Sequence, residues 1–117
     1  MNLAYNISVM VMRLVSKSYN IKIRECISFK DRFIGFMFKK NIDEVLCFRK
    51  CSGIHTFFMF NPIEVIMTDK DFKVLYVYNY LKKNRIILPK KGVYYTFEMK
   101  AYLIDCTIGE KLNIEKE

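Results

Sequence analysis

The chain has 117 residues, of which 52% are hydrophobic and 27% are charged, and its net charge is +8. This length fits one domain with one core, and the composition excludes both a disordered and a fibrous protein. The charge suits an anionic partner such as nucleic acid or a membrane surface, although lysines also solvate the outer face of an ordinary sheet.

The cysteines and the apolar runs indicate a cellular location. The sequence has four cysteines, no apparent secretory leader and no apolar run near the roughly 20 residues that a membrane-spanning helix needs. We therefore expect a cytoplasmic protein with reduced thiols and no membrane span.

The first predicted elements are two strands and a helix. Residues 4–15 are rich in β-formers, and residues 19–25 alternate apolar and polar side chains, with Tyr19, Ile21 and Ile23 on one face. Lys17-Ser18 could form a hairpin turn between the two strands.

A Ser N-cap and an acid in the first turn predict the one helix, over residues 28–38. We expect Phe33, Ile34 and Met37 to form its buried face, because they lie three and four residues apart.

The rest of the chain favours strands. They are predicted at residues 45–48, 54–60, 62–68, 73–80, 86–88, 93–99 and 112–114, with a helical turn at 101–106. Val74, Tyr76, Tyr78 and Tyr80 are expected on one face of their strand. The predicted fold class is mainly β (α+β), a small antiparallel β-barrel-like sheet with one helix packed at one end, and residues 1–117 are predicted to form a single domain.

Three blocks of sequence resemble one family. They are Arg32-Phe-Ile-Gly-Phe-Met-Phe-Lys-Lys40; Ile54-His-Thr-Phe-Phe-Met59 followed by Pro62-Ile-Glu64 and Thr68-Asp69; and Glu98 with Ile108-Gly-Glu110. The blocks are similar to those of the prokaryotic domain of unknown function 192, with Glu64 where that family usually has Asp. The similar part covers residues 19–115, which leaves residues 1–18 as an N-terminal strand or extension. The resemblance implies a compact, mostly β fold and no assigned activity.

The stretch around the single histidine provides the candidate ligand site, made of His55, Thr56, Glu64 and Asp69. Glu64 is an acid inside an apolar strand, which is typical of a site with a perturbed pKa. Glu64 and Asp69 are expected on opposite faces, which argues against an acid–base pair. The structural alternative is that the His55 ring bonds a backbone carbonyl or a carboxylate and anchors the central hairpin.

The same stretch suggests two kinds of reactive site. Cys47, Cys51 and His55 follow one another at intervals of four residues and are candidate ligands for zinc, although this is not a zinc-finger spacing. Cys51 and His55 could also form a thiolate–imidazolium pair, although no oxyanion element accompanies them.

Aromatic and basic residues near the middle of the chain form a candidate nucleic-acid surface. Its members are Tyr76, Tyr78, Lys82, Lys83 and Arg85, which could stack bases and hold phosphates. The alternative is an ordinary cross-strand aromatic ladder.

The sequence as a whole favours a small cytoplasmic, non-catalytic binding or accessory domain of an uncharacterised family. We expect no cofactor, and a small molecule or a protein as the partner. A basic nucleic-acid-associated protein is the second reading. A metal-binding protein or an enzyme that uses His55, Cys51 and Glu64 is the third.

Overall fold

The computed structural model describes residues 11–16 and 19–116. Over these residues the chain forms nine strands and one short helix, which confirms a mainly β fold. The elements are β1 Met12–Val15, β2 Asn20–Glu25, α1 Phe29–Ile34, β3 Val45–Arg49, β4 Ile54–His55, β5 Ile63–Thr68, β6 Val74–Leu81, β7 Ile86–Ile87, β8 Tyr95–Lys100 and β9 Ile114–Lys116. The helix is neither long nor apolar enough to cross a membrane.

Seven strands form one sheet in the order β6-β5-β8-β3-β2-β1-β9, and β4 pairs with β7 in a separate two-stranded ribbon. The sheet is open, because β6 and β9 are its two ends and do not pair with each other. An isolated bridge between Lys73 and Lys111 and a few backbone hydrogen bonds beside it connect the start of β6 to the segment before β9. The barrel-like description is therefore loose. The sheet is also mixed rather than purely antiparallel, since β2 and β3 run parallel.

Two hydrophobic clusters cover the two faces of the sheet. Successive side chains of a strand point to opposite faces, so β5 gives Ile66 to one cluster and Val65 and Met67 to the other. The first cluster also holds Phe97, and the second also holds Phe36. We call these the first and the second cluster.

The N-terminal strands agree with the predicted pattern where they are described. β1 and β2 pair antiparallel with Leu14 opposite Ile21, and Tyr19, Ile21 and Ile23 all pack on the first cluster. Residues 4–10 of the predicted first strand and the predicted turn at Lys17-Ser18 lie outside the described residues.

The helix begins where predicted and ends early. The Ser28 side chain accepts a hydrogen bond from the Asp31 backbone N–H at 3.0 Å, and α1 stops before Gly35, whose φ is 49°. The chain turns at Gly35, so Met37 is buried but Phe33, expected in the core, is 56% exposed. The prediction for Phe33 is wrong because the helical spacing does not continue through residue 37.

Four other predictions are wrong. The strand expected at residues 54–60 ends at His55, and the chain then turns, with Phe58 at a φ of 62°. Residues 101–106 form a turn and an irregular segment instead of a helical turn, and the last strand begins at Ile114. A register shift in the β5–β6 pair places Val74 in the first cluster, whereas Tyr76 packs on the second.

Candidate functional site

A cavity of about 110 Å³ lies among the end of α1, the segment between β3 and β5, and the central strand β8. All three sequence blocks that resemble one family contribute to its wall, although they are far apart along the chain. The lining residues are Arg32, Phe33, Ile34, Gly35, Phe48, Cys51, Gly53, Ile54, His55, Met59 and Glu98.

Glu98 is the most deeply buried of the polar side chains that line this cavity. It lies in β8 opposite Leu46 on one side and Val65 on the other, and it is only 3% exposed. Its Oε1 atom has no hydrogen-bond partner within the described part of the chain. Burial raises the pKa of the Glu98 carboxyl from 4.5 to about 8, because removal from water disfavours the charged form. Glu98 is therefore mainly a neutral acid at pH 7.

Gly35 brings the end of the helix close to this carboxyl. A Cβ atom at position 35 would lie 3.3 Å from Glu98 Oε1 and 3.6 Å from the ring of Phe48. Residue 35 also has a positive φ, which L side chains rarely adopt. Both the close approach and the turn therefore favour glycine.

The His55 ring is held by two backbone groups. Its Nδ1 accepts a hydrogen bond from the Phe57 N–H at 3.2 Å, so a neutral ring carries its proton on Nε2, which lies 3.2 Å from the Phe33 carbonyl oxygen. The ring thereby connects the 55–60 segment to the end of α1. This is the backbone-bonded arrangement that the sequence analysis set against a metal ligand or a catalytic base.

Two further polar side chains of the cavity wall bond to the backbone. Arg32 donates to the Arg49 carbonyl oxygen at 2.8 Å, and the Cys51 thiol donates to the Gly53 carbonyl oxygen at 3.2 Å. Burial raises the pKa of the Cys51 thiol. A thiol kept protonated does not suit nucleophilic catalysis.

The other members of the predicted ligand site lie elsewhere. The Thr56 hydroxyl donates to the Lys82 carbonyl oxygen at 2.7 Å. Glu64 is buried on the face of the first cluster, where it accepts hydrogen bonds from the Asn79 side chain and the Ile104 N–H. Asp69 accepts two backbone N–H groups in the turn before β6. The structure therefore does not bring Glu64 or Asp69 to His55.

The zinc candidates are also separated. Cys47 is fully buried in the first cluster, whereas Cys51 packs on the second. Across residues 11–16 and 19–116, no group of three or more His, Cys, Asp and Glu side chains is arranged to hold a metal ion.

The nucleic-acid candidates divide into two groups. Tyr76 and Tyr78 pack on the second cluster, and the Lys90 ammonium lies 5.1 Å from the centre of the Tyr76 ring. Lys82, Lys83 and Arg85 are exposed on the turn after β6. The two tyrosines therefore contribute to the packing of the core more than to a surface that could bind nucleic acid.

Sequence reasoning did not place Glu98, Arg32 and Gly35 in the candidate site. One local signal was present, since Glu98 stands between Phe97 and Met99 in a predicted strand, just as Glu64 stands between Ile63 and Val65. The argument that makes Glu64 a candidate therefore applies equally to Glu98.

Two solved structures share the fold. A Sinorhizobium meliloti protein, described as a "putative transcription regulator", superposes with a TM-score of 0.72 and 14% identity over 94% of this chain and 96% of its own. A Novosphingobium aromaticivorans protein of unknown function superposes with a TM-score of 0.66 and 10% identity over 88% of each chain. At these identities the likeness concerns the fold alone.

Sequence relatives are found among archaeal proteins, while no protein-family model matches the chain. The UPF0127 protein of Thermococcus kodakarensis is 34% identical over 94 residues, and the chain spans 59% of its length. The UPF0127 protein of Pyrococcus horikoshii is 35% identical over 94 residues, which cover 73% of this chain and 81% of that protein. By this identity and coverage, the chain belongs to the UPF0127 family, whose members are uncharacterised.

Proposed function

We propose that the chain is a single, non-catalytic binding domain that takes a small uncharged group in the cavity at Glu98. The observation that carries the proposal is the unpartnered Glu98 Oε1 atom at the wall of a cavity of about 110 Å³. A buried polar atom without a partner is destabilising by roughly 1–3 kcal/mol, so a ligand that supplies the partner gains that energy on binding.

The chemistry of the wall indicates the class of ligand. A protonated carboxyl has one donor and one acceptor, and an amide group complements both in a paired hydrogen bond. The remaining wall is largely apolar, with Phe48, Ile54 and Met59 among its members. A neutral amide-type group therefore suits the cavity better than a cation, which would require Glu98 to ionise in an apolar setting.

The experiment is a titration of the ¹⁵N-labelled protein with acetamide, followed by NMR at pH 6.5. We expect saturable shifts at the backbone amides of Gly35 and Gly53, which line the cavity, and no saturable shifts with methylammonium chloride. Glu98→Leu, of similar size but without the carboxyl, should lose the acetamide response. Equal shifts in Glu98→Leu would contradict a role for this carboxyl. Binding of methylammonium that strengthens above pH 8 would contradict the amide assignment.

The family and the location belong to the same proposal. We assign the chain to the domain of unknown function 192 because it contains the block His55-Thr-Phe-Phe-Met59. Gly35 and Glu98, from the other two similar blocks, line the same cavity as this block. A cytoplasmic location is supported by the four free cysteines, three of which are buried.

The second candidate function is association with nucleic acid. The observation that favours it is the exposed Lys82, Lys83 and Arg85 turn on a chain of net charge +8. The description of the Sinorhizobium meliloti structure as a transcription regulator is compatible with it.

A further inference from the structure

Among the side chains that the structure describes, five phenylalanines lie on the surface, and their rings form two neighbouring groups. The centre of the Phe38 ring is 5.5 Å from that of Phe58 and 6.4 Å from that of Phe60. The rings of Phe33 and Phe57 lie 5.4 and 5.6 Å from the His55 ring. We call these five exposed side chains, Phe33, Phe38, Phe57, Phe58 and Phe60, the aromatic face. The two groups of rings are connected along the chain, because Phe57 and Phe58 are consecutive. An exposed apolar surface of this kind marks an interaction site.

The backbone holds two of these side chains outward at an energetic cost. Phe38 and Phe58 have φ values of 63° and 62°, a conformation that bulky residues rarely adopt, and each side chain is 62% exposed. The Phe38 N–H donates to the Phe58 carbonyl oxygen at 2.9 Å, which fixes the two turns side by side. Strain of this kind in exposed apolar residues is typical of a functional surface.

A border of cations accompanies the aromatic face. The three segments that build and flank it, 33–40, 55–62 and 80–88, contain Lys39, Lys40, Lys82, Lys83 and Arg85 and no acid. Thr56 connects the last segment to the second through its bond to the Lys82 carbonyl oxygen. Lys82 and Lys83 also line a groove of about 220 Å³ together with Phe60 and Tyr80.

The combination of exposed phenylalanines and neighbouring cations favours one of three possible partners, which are a second copy of the chain, nucleic acid and a lipid surface. A second copy of the chain, packed face to face, would bring these lysines against one another, which is unfavourable. Stacking of nucleobases uses free ring faces, and the Phe38 and Phe58 rings each lose one of their two faces to the other, with planes 24° apart. Insertion into the hydrocarbon of a lipid bilayer requires only that apolar side chains are exposed. Lysines beside such side chains can reach the anionic headgroups. We propose that the aromatic face docks the protein on an anionic lipid surface.

The test is co-sedimentation of the full chain with vesicles of phosphatidylcholine alone or of phosphatidylcholine and phosphatidylserine at three to one. We expect binding to the anionic vesicles that weakens as salt rises, and at least tenfold weaker binding to the neutral ones. The double variant Phe38→Asn/Phe58→Asn should lose at least tenfold in affinity. It should fold at least as well as wild type, because asparagine tolerates a positive φ.

The matched control is Ile108→Asn, which removes an exposed apolar side chain at the opposite end of β6, where Gly109 bonds to Val74. Its vesicle binding should equal that of wild type. No sedimentation at low salt, equal binding to neutral vesicles, or full binding by the phenylalanine double variant would each overturn the proposal. Binding to a single-stranded oligonucleotide but not to vesicles would overturn it in favour of nucleic acid.

Discussion

Glu98 shows how one buried side chain makes stability depend on pH. Its pKa is 4.5 in ordinary surroundings and about 8 in the fold, so between these values the folded state binds a proton that the unfolded state releases. Stability from this group is fully present below about pH 4.5 and falls as pH rises to about 8, by roughly 1.4 kcal/mol per pH unit. The usual buried carboxylate, paired with a cation, behaves in the opposite way.

We therefore expect chemical denaturation to show wild type losing stability from pH 5 to pH 8, and Glu98→Gln losing much less. The amide keeps the shape of the carboxyl but does not ionise. Glu64, whose pKa is also raised by burial, should leave a residual slope in the variant. Glu115→Gln, at an exposed position in β9, should keep the wild-type slope. Parallel curves for wild type and Glu98→Gln would contradict the neutral form of Glu98.

A second prediction at this scale concerns His55. Replacing His55 by Ala removes both backbone contacts of the ring and leaves the Phe33 carbonyl and the Phe57 N–H to find other partners. Both hydrogen bonds lie in exposed surroundings, where water can take the place of the ring, so we expect a loss of roughly 0.5–1.5 kcal/mol in the free energy of unfolding. Lys83→Ala, at an exposed position, should stay within about 0.5 kcal/mol of wild type. An unchanged denaturation midpoint for His55→Ala would show that the ring does not anchor the segment.

At the scale of elements, the end of α1 determines what the cavity contains. Gly35 allows the chain to turn while the helix end lies against Glu98. Because the helix stops there, Phe33 lies outside and Phe36 lies in the second cluster. One turn thus supplies a wall of the cavity and a member of the aromatic face.

Gly35→Ala should destabilise the fold for two reasons, the positive φ and the close approach to Glu98. Gly109→Ala is the matched control, since Gly109 has a φ of 97° but a Cβ there would meet nothing within 4 Å. We expect both variants to lose about 1 kcal/mol or more through the backbone, and Gly35→Ala to lose more than Gly109→Ala. Thermal unfolding of the two proteins gives the difference. Equal losses would mean that the helix end does not press on Glu98.

The sequence predicted features that depend on neighbours along the chain. The Ser28 cap, the alternation of residues 19–25 and the strands that correspond to β5 and β6 were all readable locally. The early end of the helix was not, because Met37 continues the helical spacing although it is buried after a turn. The site was missed for a related reason. The local pattern shows an acid between Phe97 and Met99, but it does not show that the distant strands with Leu46 and Val65 pair on either side and bury it.

At the scale of the whole molecule, the distribution of charge tests the nucleic-acid alternative. If that candidate function holds, a single-stranded oligonucleotide should bind with an affinity that falls steeply as salt rises. Changing Lys82, Lys83 and Arg85 together to alanine should then reduce the slope of affinity against salt. Absence of a gel shift at low salt, where weak electrostatic binding is strongest, would exclude this function.

The position of β8 at the centre of the sheet has a consequence for the order of folding. The β1–β2 and β5–β6 hairpins form from neighbours along the chain, whereas in the sheet of the described residues β8 lies between β3 and β5 and joins them. During synthesis the two halves of the sheet therefore cannot pair with each other until residues 95–100 have left the ribosome, and their apolar faces stay exposed until then. Because distant pairings make folding slow, this interval is when the nascent chain is most exposed to aggregation.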